Sequence, residues 1–172
     1  MQINFSFADG LCVTLRSGTG LVCSSHDQSK KCRYFDGSQF KSGPPTKYGH
    51  NSGGLIHLND EALIVGGHEP DSKSGKYNLE TEILKNNTWQ VFGGKHQLSA
   101  VMKSHYCDFS LVEFDGKIYA FGGMIDGLWK ATERVFVFEE GWKESGKILV
   151  KLIDNFRPET AQTKSRSYVN SR

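Results

Sequence analysis

Several things are scarce in this 172-residue chain, and each scarcity excludes something. No apolar run approaches the ~18 to 20 residues of a membrane-spanning helix, so no such span is expected. Net charge is only +2, from 21 basic against 19 acidic residues. That balance gives no strong field to hold nucleic acid or an anionic membrane. The start, MQINFSFADG, has neither a basic n-region nor a continuous apolar h-region. It does not read as a signal peptide, so the chain is expected to be cytosolic or to lack its true N-terminus. No HExxH, HxH or CxxC spacing suggests a metal, and no GxSxG suggests a nucleophile elbow. The Gly-rich stretch Ser17 to Gly20 lacks the following helix that a phosphate loop needs. No cofactor is expected, and no enzymatic activity.

What the chain does have is glycine and aromatic residues, 19 Gly and 12% aromatics against only 4 Pro. This mixture favours short strands and tight turns. LIVGG, with Gly66 and Gly67, returns as FGG at Gly122 and Gly123. Each pair closes a short apolar run and is followed by a tryptophan, Trp89 or Trp142. A period near ~50 residues built this way is a mark of radial repeat arrays. In the clearest copy, SLVEF turns at Asp115-Gly116 into KIYAFGG. A loop from Met124 to Thr132 then leads to a strand over Glu133 to Glu139, and a turn delivers Trp142. Asp-Gly is a strong two-residue hairpin signal, because both positions tolerate positive φ.

The second copy runs in the same order. GLIHL turns at Asn59-Asp60 into ALIVGG, a loop from His68 to Tyr77 leads to NLETEIL, and Asn86-Asn87 turns into TWQVF. A degenerate first copy lies upstream. Leu11 to Leu15 and Gly20 to Ser25 form its first hairpin, with Ser24-Ser25 in place of the diglycine. Lys30 to Phe35 is its third strand, and Phe40 takes the tryptophan position. Tyr34, Ile83 and Phe136 stand six residues before Phe40, Trp89 and Trp142, which supports the alignment. Gln97 to Ser104 allows one helical turn without a sustained apolar stripe.

Four apolar residues, a diglycine, a variable loop, then a spaced bulky residue and Trp: this pattern resembles the kelch repeat. LIVGG with Trp89, and YAFGG with Phe136 and Trp142, carry the resemblance, which covers roughly residues 11 to 153. It implies an all-β partial β-propeller of about three four-stranded blades, near 11–45, 53–94 and 108–153. Residues 1–10 read as an N-terminal segment or a strand of a neighbouring blade. The repeat region runs over 11–156, and 157–172 is a polar tail or the start of a further blade. Propellers usually close with ~4 to 8 blades. The chain is therefore expected to be a fragment, or to need further blades or self-association to close the ring.

The resemblance implies a protein-interaction module with no catalysis of its own, which displays loops to a protein partner of unknown identity. The alternative is a piece of a propeller enzyme or carbohydrate-binding propeller whose site is completed elsewhere. The loops between second and third strands carry the candidate binding residues His68, Glu69, Asp71, Asp126, Trp129 and Lys130. Trp129 reads either as an interface anchor or as a ring folded back on its blade. His26 and His68 hold equivalent places after the diglycine or its replacement, but do not add up to a metal site. Cys23 and Cys32 straddle one hairpin loop and read as a disulfide or as two packed thiols. The bridge is preferred, and with it an extracellular over a cytoplasmic location. Cys12 and Cys107 are expected to be buried thiols.

Overall fold

The computed structural model describes residues 10–25, 28–69, 78–102, 105–125 and 130–147. The architecture is all-β, in four antiparallel sheets, none of them closed. The first sheet is β1 (Leu11–Thr14), β2 (Gly20–Cys23), β3 (Cys32–Phe35) and β4 (Phe40–Ser42), paired in chain order. The second is β5 (Gly54–Leu58), β6 (Glu61–Val65), β7 (Thr81–Lys85) and β8 (Thr88–Val91), again in chain order. Then come β9 (Tyr106–Cys107), β10 (Ser110–Phe114), β11 (Lys117–Phe121), β12 (Met124–Ile125), β13 (Lys130–Ala131), β14 (Arg134–Phe138) and β15 (Trp142–Lys147). The third sheet runs β10-β11-β14-β15, and a small sheet runs β13-β12-β9.

The expected turns close the hairpins. Asn59, Asn86, Asn87 and Asp115 all adopt positive φ, which Asn and Asp tolerate better than other side chains. Strand starts lie later than the sequence suggests. The second sheet's third strand begins at Thr81 rather than Asn78, because Asn78 Oδ1 accepts from Glu80 N (2.8 Å) and makes a local turn. The third sheet's begins at Arg134, whose N–H donates to Thr132 Oγ1. The described residues around Gln97 form two short 3-10 turns, Gly94–His96 and Leu98–Ala100.

The first strands β1, β5 and β10 lie side by side, which sets the three larger sheets face to face. The middle sheet is covered on both faces. Ala62, Ile64 and Trp89 join Leu21, Cys23 and Cys32 in one core. Leu63, Val65 and Ile83 join Tyr106, Phe109, Ile118, Phe136 and Trp142 in the other. This explains the unbroken apolar run Ala62 to Val65: a strand covered on both faces has no polar side.

Strand pairing corrects one part of the repeat alignment. Leu21 faces Tyr34 and Leu63 faces Ile83, so Tyr34 and Ile83 do correspond. Their counterpart in the third sheet is Val137, opposite Tyr119; Phe136 lies opposite Ala120, as Glu82 lies opposite Ile64. The turn before Trp142 is one residue shorter than the turn before Trp89, so counting six back lands on the other face. Phe40 does hold the tryptophan register, since Phe35–Phe40, Leu84–Trp89 and Phe138–Trp142 are matching pairs.

Candidate interaction surface

The segments leaving the diglycines and those entering each new sheet meet at one end of the array. Backbone bonds tie them together in series. His50 N and Thr46 N donate to Ser29 O and Lys30 O, at 3.2 and 2.9 Å. Asn51 and His68 exchange both of their N–H···O bonds, at 3.1 and 2.9 Å. Gly67 N donates to Tyr106 O (3.0 Å), and Asp108 N donates to Ser52 O (2.7 Å). The result is a rim in which each connection is bonded to the next.

Two buried rings anchor this rim, in matching positions. His50 Nδ1 lies 2.7 Å from Gly66 O, and Tyr106 Oη donates to Gly122 O at 2.8 Å. Both rings are fully buried. His50 Nε2 faces Glu82 Oε1 at 2.9 Å, while the ring of Tyr106 meets Phe136 edge-on at 5.5 Å. Glu82 also accepts from Lys47 N (2.9 Å) and Tyr48 N (3.0 Å). A carbonyl can only accept, so His50 Nδ1 donates to Gly66 O. Burial pushes the Glu82 carboxyl up, but the His50 bond and the two backbone N–H groups together outweigh it, leaving the carboxyl below its ordinary value.

The diglycines earn their place by crowding and by backbone conformation. Gly66, Gly67, Gly122 and Gly123 all have positive φ, as does Ser24 in the first copy. A Cβ on Gly67 would stand 2.5 Å from Asn51 O, and one on Gly123 would stand 2.7 Å from Cys107 O. On Gly66 it would meet Tyr106 O at 3.0 Å. Among the described residues, nothing lies within 4 Å of a Cβ placed on Gly122.

The two tryptophans also differ. Trp142 Nε1 donates to Thr81 Oγ1 of the preceding sheet at 3.3 Å. The matching residue before Trp89 is Cys32, which is bonded to Cys23. A disulfide sulfur replaces the hydroxyl, and buried Trp89 Nε1 has no acceptor among the described residues. The bond closes between directly opposed residues with Cα atoms 4.0 Å apart. Ser24 N donates to Lys31 O one step on, so Cys23 and Cys32 form the narrow, non-hydrogen-bonded kind of pair.

Of the candidate binding residues, His68 and Glu69 lie on the rim. Glu69 ion-pairs with Lys30 at 2.5 Å, which brings the second sheet's connection to the first sheet's. Lys130 is not in a loop: it pairs with Ile125 in the small sheet, exposed and within the third unit. The small sheet arises because Met124 finds Cys107 as a partner as well as Ala131. Asp71, Asp126, Trp129 and His26 lie outside the described residues. Cys107 is buried, and burial followed by the nearby Asp108 charge pushes its thiol up to about 12, so it is no nucleophile at neutral pH. Cys12 is exposed, contrary to expectation. Its matches Leu55 and Leu111 pack into the cores because a preceding sheet covers them.

No group of three or more His, Cys, Asp and Glu among the described residues could hold a metal ion. No helix among them is long and apolar enough to cross a membrane. His50, Glu82 and Tyr106 were not expected as anchors. The nearest signal in the sequence is Glu82, a charge beside the apolar pair Ile83-Leu84.

No protein-family profile matches this chain. No curated protein matches it either. Its fold does recur in solved structures. One of them, described as the structure of YjhT, superposes with a TM-score of 0.68 at 10% sequence identity. The match covers 82% of this chain and 52% of the other, so this chain spans about half the length of that structure.

Proposed function

We propose that the three four-stranded sheets are kelch-type blades of a partial β-propeller, and that the chain is a protein-interaction module. The repeated strand order, the positive-φ diglycines and the register-matched Trp89 and Trp142 support the blade reading. The observation that carries the interaction reading is the rim. Its connections are bonded to one another through Asn51–His68, Gly67–Tyr106 and Lys30–Glu69. Such a rim presents side chains in a fixed arrangement, which lowers the entropy a partner must overcome on binding. Recognition then works by complementary shape and charge, with Glu69 and Lys130 among the contacts, and no bond is made or broken.

Site-specific photocrosslinking tests this. A photoreactive phenylalanine at Glu69 or Lys130 is expected to trap a foreign protein. The same group at Ser17, in the β1–β2 turn at the other end of the strands, is expected to trap little. Equal adducts from both ends, or none from the rim, would sink the reading.

A further inference from the structure

The first sheet carries its disulfide where the middle sheet carries a hydrogen-bond acceptor. Cys23 faces Cys32 as Val65 faces Thr81, one step before Ser24 and Gly66 respectively. Thr81 Oγ1 accepts from Trp142 Nε1 of the third sheet at 3.3 Å. Cys32 shares a core with Trp89, the matching tryptophan, but its sulfur is committed to Cys23. Trp89 is 2% exposed, and among the described residues its Nε1 has no acceptor. A buried donor without a partner loses its hydration and regains nothing. The disulfide form keeps that penalty. A free Cys32 thiol would stand where the threonine hydroxyl stands, and its sulfur is a weak acceptor.

The same pair pins the rim. Residues between the two cysteines hold the segment that enters the middle sheet. Ser29 O accepts from His50 N (3.2 Å) and from Ser24 Oγ (2.6 Å), and Lys30 O accepts from Thr46 N (2.9 Å). Cys32 O itself accepts from Gly43 N at 3.0 Å, and Lys30 pairs with Glu69. The next junction, through Gly67 N to Tyr106 O and Asp108 N to Ser52 O, belongs to the sheet in which Val65 and Thr81 take the place of the bonded cysteines.

We propose that Cys23–Cys32 is a reducible latch on the rim. Both cysteines are buried, so attack follows a local opening of the hairpin. A thiolate of a dithiol then attacks one cysteine sulfur, and its second thiolate resolves the mixed disulfide. The chain gains two thiols, and the dithiol becomes a disulfide. The freed Cys32 sulfur takes up the Trp89 N–H, and the support for Thr46 and His50 is no longer closed by a covalent bond. As control of partner binding the latch rests on the rim reading; as a property of the folded chain it does not.

Equilibration of the full chain in dithiol–disulfide buffers, with thiols trapped in denaturant and counted by mass, measures the opening. Two free thiols mark the latched form and four the open one. Trp89→Phe removes the N–H that opening satisfies. Its disulfide is expected to be harder to reduce, by roughly fivefold in the equilibrium constant. Hydrogen exchange reads the rim. On reduction the amides of Thr46 and His50 are expected to exchange roughly tenfold faster or more, while those of Gly67 and Asp108 keep their rates. Cys23→Val with Cys32→Thr copies the Val65–Thr81 pair, and is expected to fold with the fast rates whatever the buffer.

An equilibrium constant unmoved by Trp89→Phe would overturn the proposal. So would Thr46 and His50 amides indifferent both to reduction and to the double substitution. Acceleration of all four amides together would also overturn it, since that marks a staple of the whole fold. None of these readouts uses a partner, so the crosslinks at Glu69 and Lys130 decide the rim reading separately.

Discussion

The second and third sheets hold their incoming segments with opposite chemistry in the same place. In one, His50 and Glu82 form a buried hydrogen-bonded pair beneath Gly66. In the other, Tyr106 and Phe136 form an aromatic pair beneath Gly122. What is common is a ring that donates to the carbonyl of the first glycine. The strand residue below that ring is free to be charged or apolar, provided it satisfies its neighbour. Of the two arrangements only the first depends on pH, through the Glu82 carboxyl.

The largest expected effects come from separating these two anchors. Phe136→Ala should cost about 3–5 kcal/mol by leaving a cavity, and Glu82→Ala about 2–3 kcal/mol or more by leaving His50 Nε2 and the Lys47 and Tyr48 N–H groups without their acceptor. Urea unfolding at several pH values tells them apart. The Glu82 carboxyl is depressed in the fold, so its contribution is present above the ordinary glutamate value and is lost as pH falls through the depressed one. Glu82→Gln is expected to flatten that acid limb of the stability curve. Phe136→Ala should leave the limb in place and lower the whole curve.

The diglycines sharpen the comparison at the next scale. Gly66 and Gly122 have nearly the same φ, 61° and 65°, so alanine carries the same backbone penalty at both, about 1–2 kcal/mol. Only Gly66 also has Tyr106 O at 3.0 Å and Leu98 Cδ1 at 3.2 Å from the added carbon. Gly66→Ala is therefore expected to be the more destabilising by about a further 1 kcal/mol or more, measured as the shift in denaturation midpoint. Equal losses would mean that the third sheet is as closely covered as the second.

The smallest effect concerns the tryptophans. Thr81→Val should cost about 1 kcal/mol by removing the acceptor of Trp142 Nε1. In a Trp142→Phe background that cost is expected to vanish. A full cost in both backgrounds would show that the threonine acts by packing alone.

The strands and their hairpins were legible because local signals set them. Asn59-Asp60, Asn86-Asn87 and Asp115-Gly116 turn the chain wherever it falls, and apolar runs lie between them. Register was less legible. The turn before Trp142 differs by one residue from the turn before Trp89, and one residue reverses which face a strand position serves. Spacing alone therefore aligns Phe136 with Ile83. The anchors were hidden for a different reason. His50 and Tyr106 serve one geometric purpose with unlike side chains, so no residue type repeats between them. The Cys23–Cys32 pair was legible as a possibility, since one hairpin loop joins the two residues, but its closure depended on register. The exposure of Cys12 is not legible in the sequence, because a strand's pattern says which face is apolar, not whether a neighbour covers it.

The middle sheet has a cover on each side, and among the described residues each end sheet has one face outside the two cores. Mutational freedom along the chain is therefore set by rank in the array as much as by residue type. Between Ala62 and Val65 a change on either side disturbs a core, so no position there can drift. In β1, by contrast, alternate positions such as Cys12 and Thr14 face away from the packed interior. Those are the positions at which a chain of this design can acquire new chemistry without unmaking its fold.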